Sequence, residues 1–290
     1  MPVPPGKTIR IADKDFSPGS DNKEILSIEL MPDGFSFAIL DANAFKYQFL
    51  LANTFDGEQK DFSLLPDRLL ADPEIHDLLS RKYLKTTIAC FTPQLTLLPN
   101  ELFIKEDQEA MHRFSCSVPV DHLIRTDRLN NLQGYGVYSL PERLVGRLGQ
   151  LFPGHRLWHS GSALIENMLA ASRLEDWPGD LILHIRKSCF EVLLLDKKKL
   201  VYFNVFQYRD FEDLMYFLFY VLEQFGRDAK SSWAILAGEI SMDSPGFTSL
   251  ASYFGKVSFT GRNDAYRYCL GFDNYPHHYF FHLLNLNFCG

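Results

Sequence analysis

A hairpin that occurs twice constrains this chain more than any other feature. Residues 26–41 read LSIELMPDGFSFAILD, and residues 181–196, at an offset of 155, read LILHIRKSCFEVLLLD with no gap. In both stretches apolar residues alternate with others, the period of two that marks β-strands. The first turn, Pro32-Asp33-Gly34, has a mechanism. Proline presets φ, aspartate bonds its own backbone and glycine accepts a positive φ. At this offset Leu26, Phe35, Leu40, Asp41 and Tyr47 face identical residues, namely Leu181, Phe190, Leu195, Asp196 and Tyr202. Ile28 and Leu183, Phe37 and Val192, and Ile39 and Leu194 match in character. Alternation alone would align any two hairpins. The gapless register and the shared order of three strands and then a helix favour duplication.

The elements around each hairpin follow the same logic. Strands are expected at Ile25–Leu30, Phe35–Leu40 and Phe45–Ala52, then a helix over 73–84 that Asp72 caps and Pro73 opens. Short strands follow at Thr86–Phe91 and Leu95–Leu98. Beyond an irregular middle that lasts to Gly134, Tyr135–Leu140 reads as a strand, Ser139 and Glu142 have capping-box spacing, and a helix runs to Leu151. His155–His159 reads as a strand and Ala163–Ser172 as a helix with Ser162 as its N-cap. After the break Trp177-Pro178-Gly179-Asp180, the second copy gives strands at Leu181–Lys187, Phe190–Asp196 and Leu200–Tyr208, and a helix over 211–225. That helix is apolar on nearly every side and is expected to be buried. Strand Trp233–Ala237, helix Phe247–Phe254 and strand Lys256–Phe259 complete the set. The domain reading is an N-terminal arm or edge segment over 1–24, a first lobe over 25–178 and a second lobe with a tail over 179–290.

Bulk properties narrow the function classes. A chain of 290 residues has room for one large or two ordinary domains. A net charge of −7 speaks against nucleic acid, whose binding rests on clustered Lys and Arg. Five cysteines with no C-x-x-C spacing fit reduced thiols and a cytoplasmic location. The stretch MPVPPGKTIRIADKDF has no apolar core of a signal peptide, and LMYFLFYVL at 214–222 is too short for a membrane span.

Two copies of strand-strand-strand-helix-strand-helix-strand resemble the actin-like ATPase superfamily, in which each half is a ribonuclease-H-like unit. More closely, the sequence resembles domain-of-unknown-function family 3822, over roughly residues 25–270. The resemblance implies a duplicated, mixed-sheet α/β fold whose hairpins cradle nucleotide phosphates. The first phosphate motif of the superfamily, apolar-Asp-apolar-Gly-Thr/Ser, falls on Ile28-Glu29-Leu30-Met31-Pro32. The acid is kept as Glu29, and Met31 replaces the glycine. The second, Asp-apolar-Gly-Gly-Gly-Thr, falls on His184-Ile185-Arg186-Lys187-Ser188-Cys189, with the acid and three glycines gone. The adenosine motif falls on Leu236-Ala237-Gly238-Glu239, with one glycine kept and Glu239 in place of the other. Glycines there let backbone N–H groups approach phosphate, and Mg²⁺ needs carboxylate oxygens. If nucleotide binds, the residues implied are Glu29, Asp33, Gly34, Arg186, Lys187, Ser188 and Gly238. Arg186 and Lys187 could grip a phosphate by charge, although solvated basic residues at a hairpin tip explain them as well.

Other constellations are weaker. Trp158-His159-Ser160-Gly161-Ser162 sets a His beside two serines but lacks the G-x-S-x-G elbow. His277, His278 and His282 read as packing and surface histidines rather than a metal site, and Glu101–Glu109 reads as the solvated start of a helix. The reading that emerges is a non-catalytic, actin-like scaffold that binds a protein partner, with no cofactor, no metal and no nucleic acid. The alternative is a protein that binds or hydrolyses ATP with Mg²⁺ through atypical loops. A ribonuclease-H-like nuclease fits worse, because Asp41 and Asp196 lie at the wrong ends of their hairpins to join Glu29.

Overall fold

A computed structural model of the chain describes residues 8–16, 23–55, 61–173, 177 and 179–289. Residues 1–7 and 17–22 of the expected arm, and Pro178 of the expected break, lie outside the described residues. The chain forms two compact units. The first comprises Pro5–Glu166, Asn263–Asn274 and Leu283–Gly290, and the second is built on Asn167–Arg262 and Tyr275–His282. The segment after 262, which the sequence assigns to the second lobe, is thus divided between the two.

The strands of the first unit are β1 (Thr8–Ala12), β2 (Glu24–Met31), β3 (Gly34–Asp41), β4 (Lys46–Thr54), β5 (Lys85–Cys90), β6 (Thr96–Pro99), β7 (His122–Leu129), β8 (Gly134–Pro141) and β9 (Arg156–His159). Its helices are α1 (Leu65–Leu69), α2 (Pro73–Leu79), α3 (Gln108–Ser115), α4 (Glu142–Leu151) and the start of α5 (Ser160–Ser172). The main sheet has the order β1-β4-β3-β2-β5-β9, with Arg267–Tyr268 also pairing β4. Strands β2, β3 and β4 are antiparallel neighbours, and β5 and β9 run parallel to β2. β6, β8 and β7 form a separate antiparallel sheet. One face of the main sheet presents Leu26, Ile28, Leu30, Phe35, Phe37 and Ile39 to Leu65, Leu69, Leu78, Leu144 and Leu148. Alternation along each strand sets that face, since every second side chain points the same way.

In the second unit, β10 (Leu181–Ile185), β11 (Cys189–Asp196), β12 (Lys199–Gln207), β13 (Trp233–Gly238) and β14 (Lys256–Phe259) form a sheet of order β12-β11-β10-β13-β14. Its directions repeat those of β4-β3-β2-β5-β9: two antiparallel pairings and then two parallel ones. The helices α6 (Phe211–Gln224) and α7 (Pro245–Tyr253) cover one face, with Leu214, Leu218 and Leu222 of α6 against Leu183, Phe190 and Val192. Each such fully buried side chain is worth about 1.5–3 kcal/mol at most.

Several local expectations are corrected. Ser139 lies inside β8, where its hydroxyl meets His122 Nδ1 at 3.2 Å, so no capping box forms and Pro141 precedes α4 without a side-chain cap. Helix α5 starts at Ser160, which leaves Ser162 buried in its first turn rather than at the cap. Helix α2 is held by Asp72 as expected but stops at Leu79, and Tyr83 returns from the following loop to donate to Leu78 O at 2.8 Å. Helix α6 is not buried all round, because Tyr216 and Tyr220 are exposed. The irregular middle contains α3 and β7. The expected arm supplies β1, an edge strand.

Candidate functional site

The second hairpin tip was expected to carry solvated basic residues. Instead Arg186 is buried, and only Lys187 of the run is exposed, with Ser188 half-buried. Strand geometry explains this. His184 and Arg186 are two apart and share a face, and Glu191 stands directly opposite His184 in the β10–β11 register. Glu191 Oε2 accepts from His184 Nδ1 at 2.6 Å and from Arg186 Nε at 3.0 Å. Burial alone would raise the Glu191 carboxyl. The Arg186 charge and the His184 bond outweigh it and hold the pKa at about 2. Burial, then the Arg186 charge, push His184 below its ordinary value. His184 is therefore neutral, and the proton on Nδ1 is the one it gives to the carboxylate. The ring of His282 lies 5.7 Å from that of His184.

Part of the tip backbone is bonded as well. Arg186 N–H donates to Cys189 O at 2.9 Å, and Tyr208 donates from its hydroxyl to Arg186 O at 2.5 Å and from its amide to Ser188 O at 3.1 Å. A phosphate loop works by aiming free N–H groups at the anion. Here the Arg186 amide is spent on Cys189 O, and Tyr208 fills two of the turn's carbonyls.

Gly238 ends β13 beside Ile185 in the parallel β10–β13 register. Its φ is +86°, and a Cβ there would sit 2.1 Å from Ile185 O. Glycine is thus required by backbone approach. Gly238 N–H donates to His278 O at 3.0 Å, and Glu239 N–H to Ile185 O at 2.6 Å. His278 is buried, stacks on Phe259 and meets Ile240 O through Nε2 at 2.7 Å. His282 is also buried, whereas His277 is exposed, so the histidine cluster is mainly interior packing. Among the described residues no group of three or more His, Cys, Asp or Glu could hold a metal ion.

In the first unit, Glu29 is buried on β2 and accepts from Ser160 Oγ at 3.2 Å. Asp33 is half-buried in the tight turn, where its carbonyl accepts from Phe55 N–H at 2.7 Å. Gly34 does not adopt a positive φ, which corrects the turn mechanism read from the sequence. It is glycine because a Cβ would lie 2.2 Å from Asn53 O across the β3–β4 ladder. Glu29, Asp33 and Gly34 are therefore strung along one hairpin, and Arg186, Lys187, Ser188 and Gly238 gather around the end of β10.

Sequence reasoning missed one polar centre. Asp127, on β7, is buried, and burial raises its pKa to about 7. Its oxygens accept from Tyr138 Oη at 3.1 Å and from His159 N–H at 2.8 Å. His159 Nδ1 in turn accepts from Gly161 N–H at 3.0 Å, so Nε2 carries the proton and donates to Thr92 O at 2.9 Å. The histidine beside Ser160 and Ser162 is thus committed to the backbone and does not serve as a base. The signal available was LNNLQG at 129–134, a turn between two alternating runs.

Matching topology in the two sheets, each with hairpin, third strand and two parallel strands, defines an actin-like ATPase fold. Solved structures agree. A Bacteroides thetaiotaomicron protein with actin-like ATPase fold and unknown function matches with a TM-score of 0.72 at 22% identity, over 82% of this chain and 91% of that one. A chain of the PilM–PilN type IV pilus biogenesis complex matches with a TM-score of 0.57 at 12% identity, over 91% and 97%. None of the curated proteins matches. Residues 13–257 match the family described as Protein of unknown function (DUF3822), and the chain belongs to that family.

Proposed function

We propose that this protein is a non-catalytic member of the actin-like fold that works by binding another protein. The observation that carries this reading is the Arg186–Ser188 turn. Where the fold would present glycine amides and an acid, the chain has a buried Arg186–Glu191–His184 cluster in which Glu191 Oε2 accepts from both partners, while its Oε1 is buried without one among the described residues. Gly238 is likewise spent on strand packing. The name of the PilM–PilN complex places one protein of this fold within a protein assembly. Exposed apolar residues at Leu102, Ile104, Phe114, Val120 and Leu123 offer contact surface, Phe114 at 93% and Val120 at 101% exposure.

The scaffold itself we read as an internal duplication. The two sheets share order and direction, and the β3–β4 and β11–β12 ladders slip at the same place, between Ile39 and Leu40 and between Leu194 and Leu195. Those positions correspond at the 155-residue offset. Five free cysteines support a reducing cytoplasm. Among the described residues no helix is long and apolar enough to cross a membrane.

Calorimetric titration with ATP and Mg²⁺ tests the non-catalytic half of the reading. No binding in the micromolar range is expected. Micromolar binding abolished by Glu29→Ala would overturn it in favour of an ATP-dependent protein. For the partner half, a stoichiometric protein captured from native cells should be lost with Phe114→Ser/Val120→Ser. Capture that those changes leave intact sinks the assignment of this surface.

A further inference from the structure

The two sheets differ at one edge. In the first unit the outer edge of β4 is closed by β1, which runs antiparallel to it from Thr8↔Asn53 to Ala12↔Phe49 and buries Ile9 and Ile11. In the second unit β12 holds the corresponding position, and among the described residues no strand pairs with its outer edge. β12 has nine residues, KLVYFNVFQ. Tyr208 N–H turns toward β11, so by the two-residue period the amides of Phe206, Asn204 and Tyr202 do too, and those of Val205 and Phe203 turn away. Asn204 Oδ1 covers the Val205 amide at 2.9 Å, a removable side-chain cap on an edge that would otherwise be open.

Apolar surface lies beside this edge. Phe217 of α6 stacks on Phe206 of β12 at 5.0 Å, and Tyr202 of β12 meets Phe225 at 5.1 Å. Val201, Tyr216, Tyr220 and Phe225 are exposed at 46%, 67%, 52% and 40%. Charge selects the occupant. Lys197, Lys198 and Lys199 mark the start of β12, and Arg209, Asp210, Glu212 and Asp213 follow its end, where Arg209 pairs with Asp213 and the three acids leave a net charge of −2. A lysine run repels indiscriminate strand addition. Two antiparallel copies escape that repulsion, because the lysine end of each meets the acidic end of the other.

We propose that β12 is a self-complementary edge through which two copies of this chain pair antiparallel, joining their second-unit sheets. This proposal does not depend on whether nucleotide binds. Sedimentation equilibrium at about 50 µM, well above the micromolar Kd of a modest interface, is the test. The wild type should have twice the chain mass. Phe203→Pro removes an outward amide without touching the β11 ladder, and Lys197→Glu/Lys199→Glu makes both ends acidic. Each should lower the mass to that of a monomer while circular dichroism stays unchanged. If the proline variant misfolds, the exposed lysine pair decides. A monomeric wild type, whether its edge is covered by its own residues 1–7 or by nothing, overturns the proposal, as does a dimer that survives the lysine substitutions.

Discussion

Replacing Arg186 by Met tests whether the second hairpin tip is closed upon itself. Glu191 is fully buried, and its pKa, about 2 against an ordinary 4.5, is the net of burial, which raises it, and of its partners, which lower it further. A displacement of that size corresponds to about 3 kcal/mol. Removing one partner of a buried ion pair costs about 3–5 kcal/mol. At about 2–4 °C per kcal/mol, the melting temperature should fall by roughly 6–20 °C. The pH dependence carries a sign. In the wild type the folded carboxyl titrates below the unfolded one. Its contribution is therefore present above pH 4.5 and is lost as pH falls toward 2. In Arg186→Met, burial is opposed only by His184 and His282, and the folded pKa rises. That acid-side loss should shrink or reverse. Urea melts at neutral and acidic pH read both effects. The triple change His184→Leu/Arg186→Met/Glu191→Met should recover most of the stability, since no charge is then left buried. If Arg186→Met costs under about 1 kcal/mol and the acid limb stays intact, the arginine is not engaged with Glu191. The tip would then be available to a ligand.

Three further outcomes follow from described contacts. Gly238→Ala, with its positive φ and a Cβ 2.1 Å from Ile185 O, should cost at least about 2 kcal/mol in a denaturant melt. Asp127 has a raised folded pKa, so its contribution is present below pH 3.8 and is lost as pH rises toward about 7. Asp127→Asn should flatten stability over that window in urea melts, and a slope identical to wild type would refute the assignment. Tyr138→Phe removes a donor from the same carboxyl and should cost about 1–3 kcal/mol, read by calorimetry.

How legible was this in the sequence? The strands were, because a period of two over eight residues leaves few alternatives. β3 and β11 occur at Gly34–Asp41 and Cys189–Asp196, in register at the 155-residue offset. The offset holds only to that point. Phe49 stands opposite Ile39, and Tyr202 opposite Leu194. The third strands therefore correspond two residues out of step, and the apparent match of Tyr47 with Tyr202 is not a structural one. The cause is local. β3 and β4 are joined by Ala42–Phe45, whereas Lys197 and Lys198 alone join β11 and β12, with φ of 48° and 64°, the tight hairpin turn. Candidate residues were less legible. Arg186 looked like a surface cation because sequence gives its neighbours along the strand and not across it. Glu191 becomes its partner only when β10 meets β11. Asp127 was invisible for the same reason, as Tyr138 and His159 reach it from other strands.

The order of synthesis gives the alternating C-terminal segments a price in time. Lys85 at the start of β5 donates to Asn287 O at 2.6 Å and Cys289 O at 3.2 Å, and Tyr47 donates to Leu284 O at 2.5 Å. Lys85 is separated from Asn287 by 202 residues. At ribosomal rates of about 5–20 residues per second, the first sheet waits roughly 10–40 s for these contacts. During that interval the nascent first unit lacks these contacts, and the strands of the second unit emerge. A chain built from two similar sheets thus passes through a stage in which strands of one could pair with strands of the other. Pulse-labelling would find the strands of the first sheet less protected in chains stalled before residue 284 than in the full-length chain.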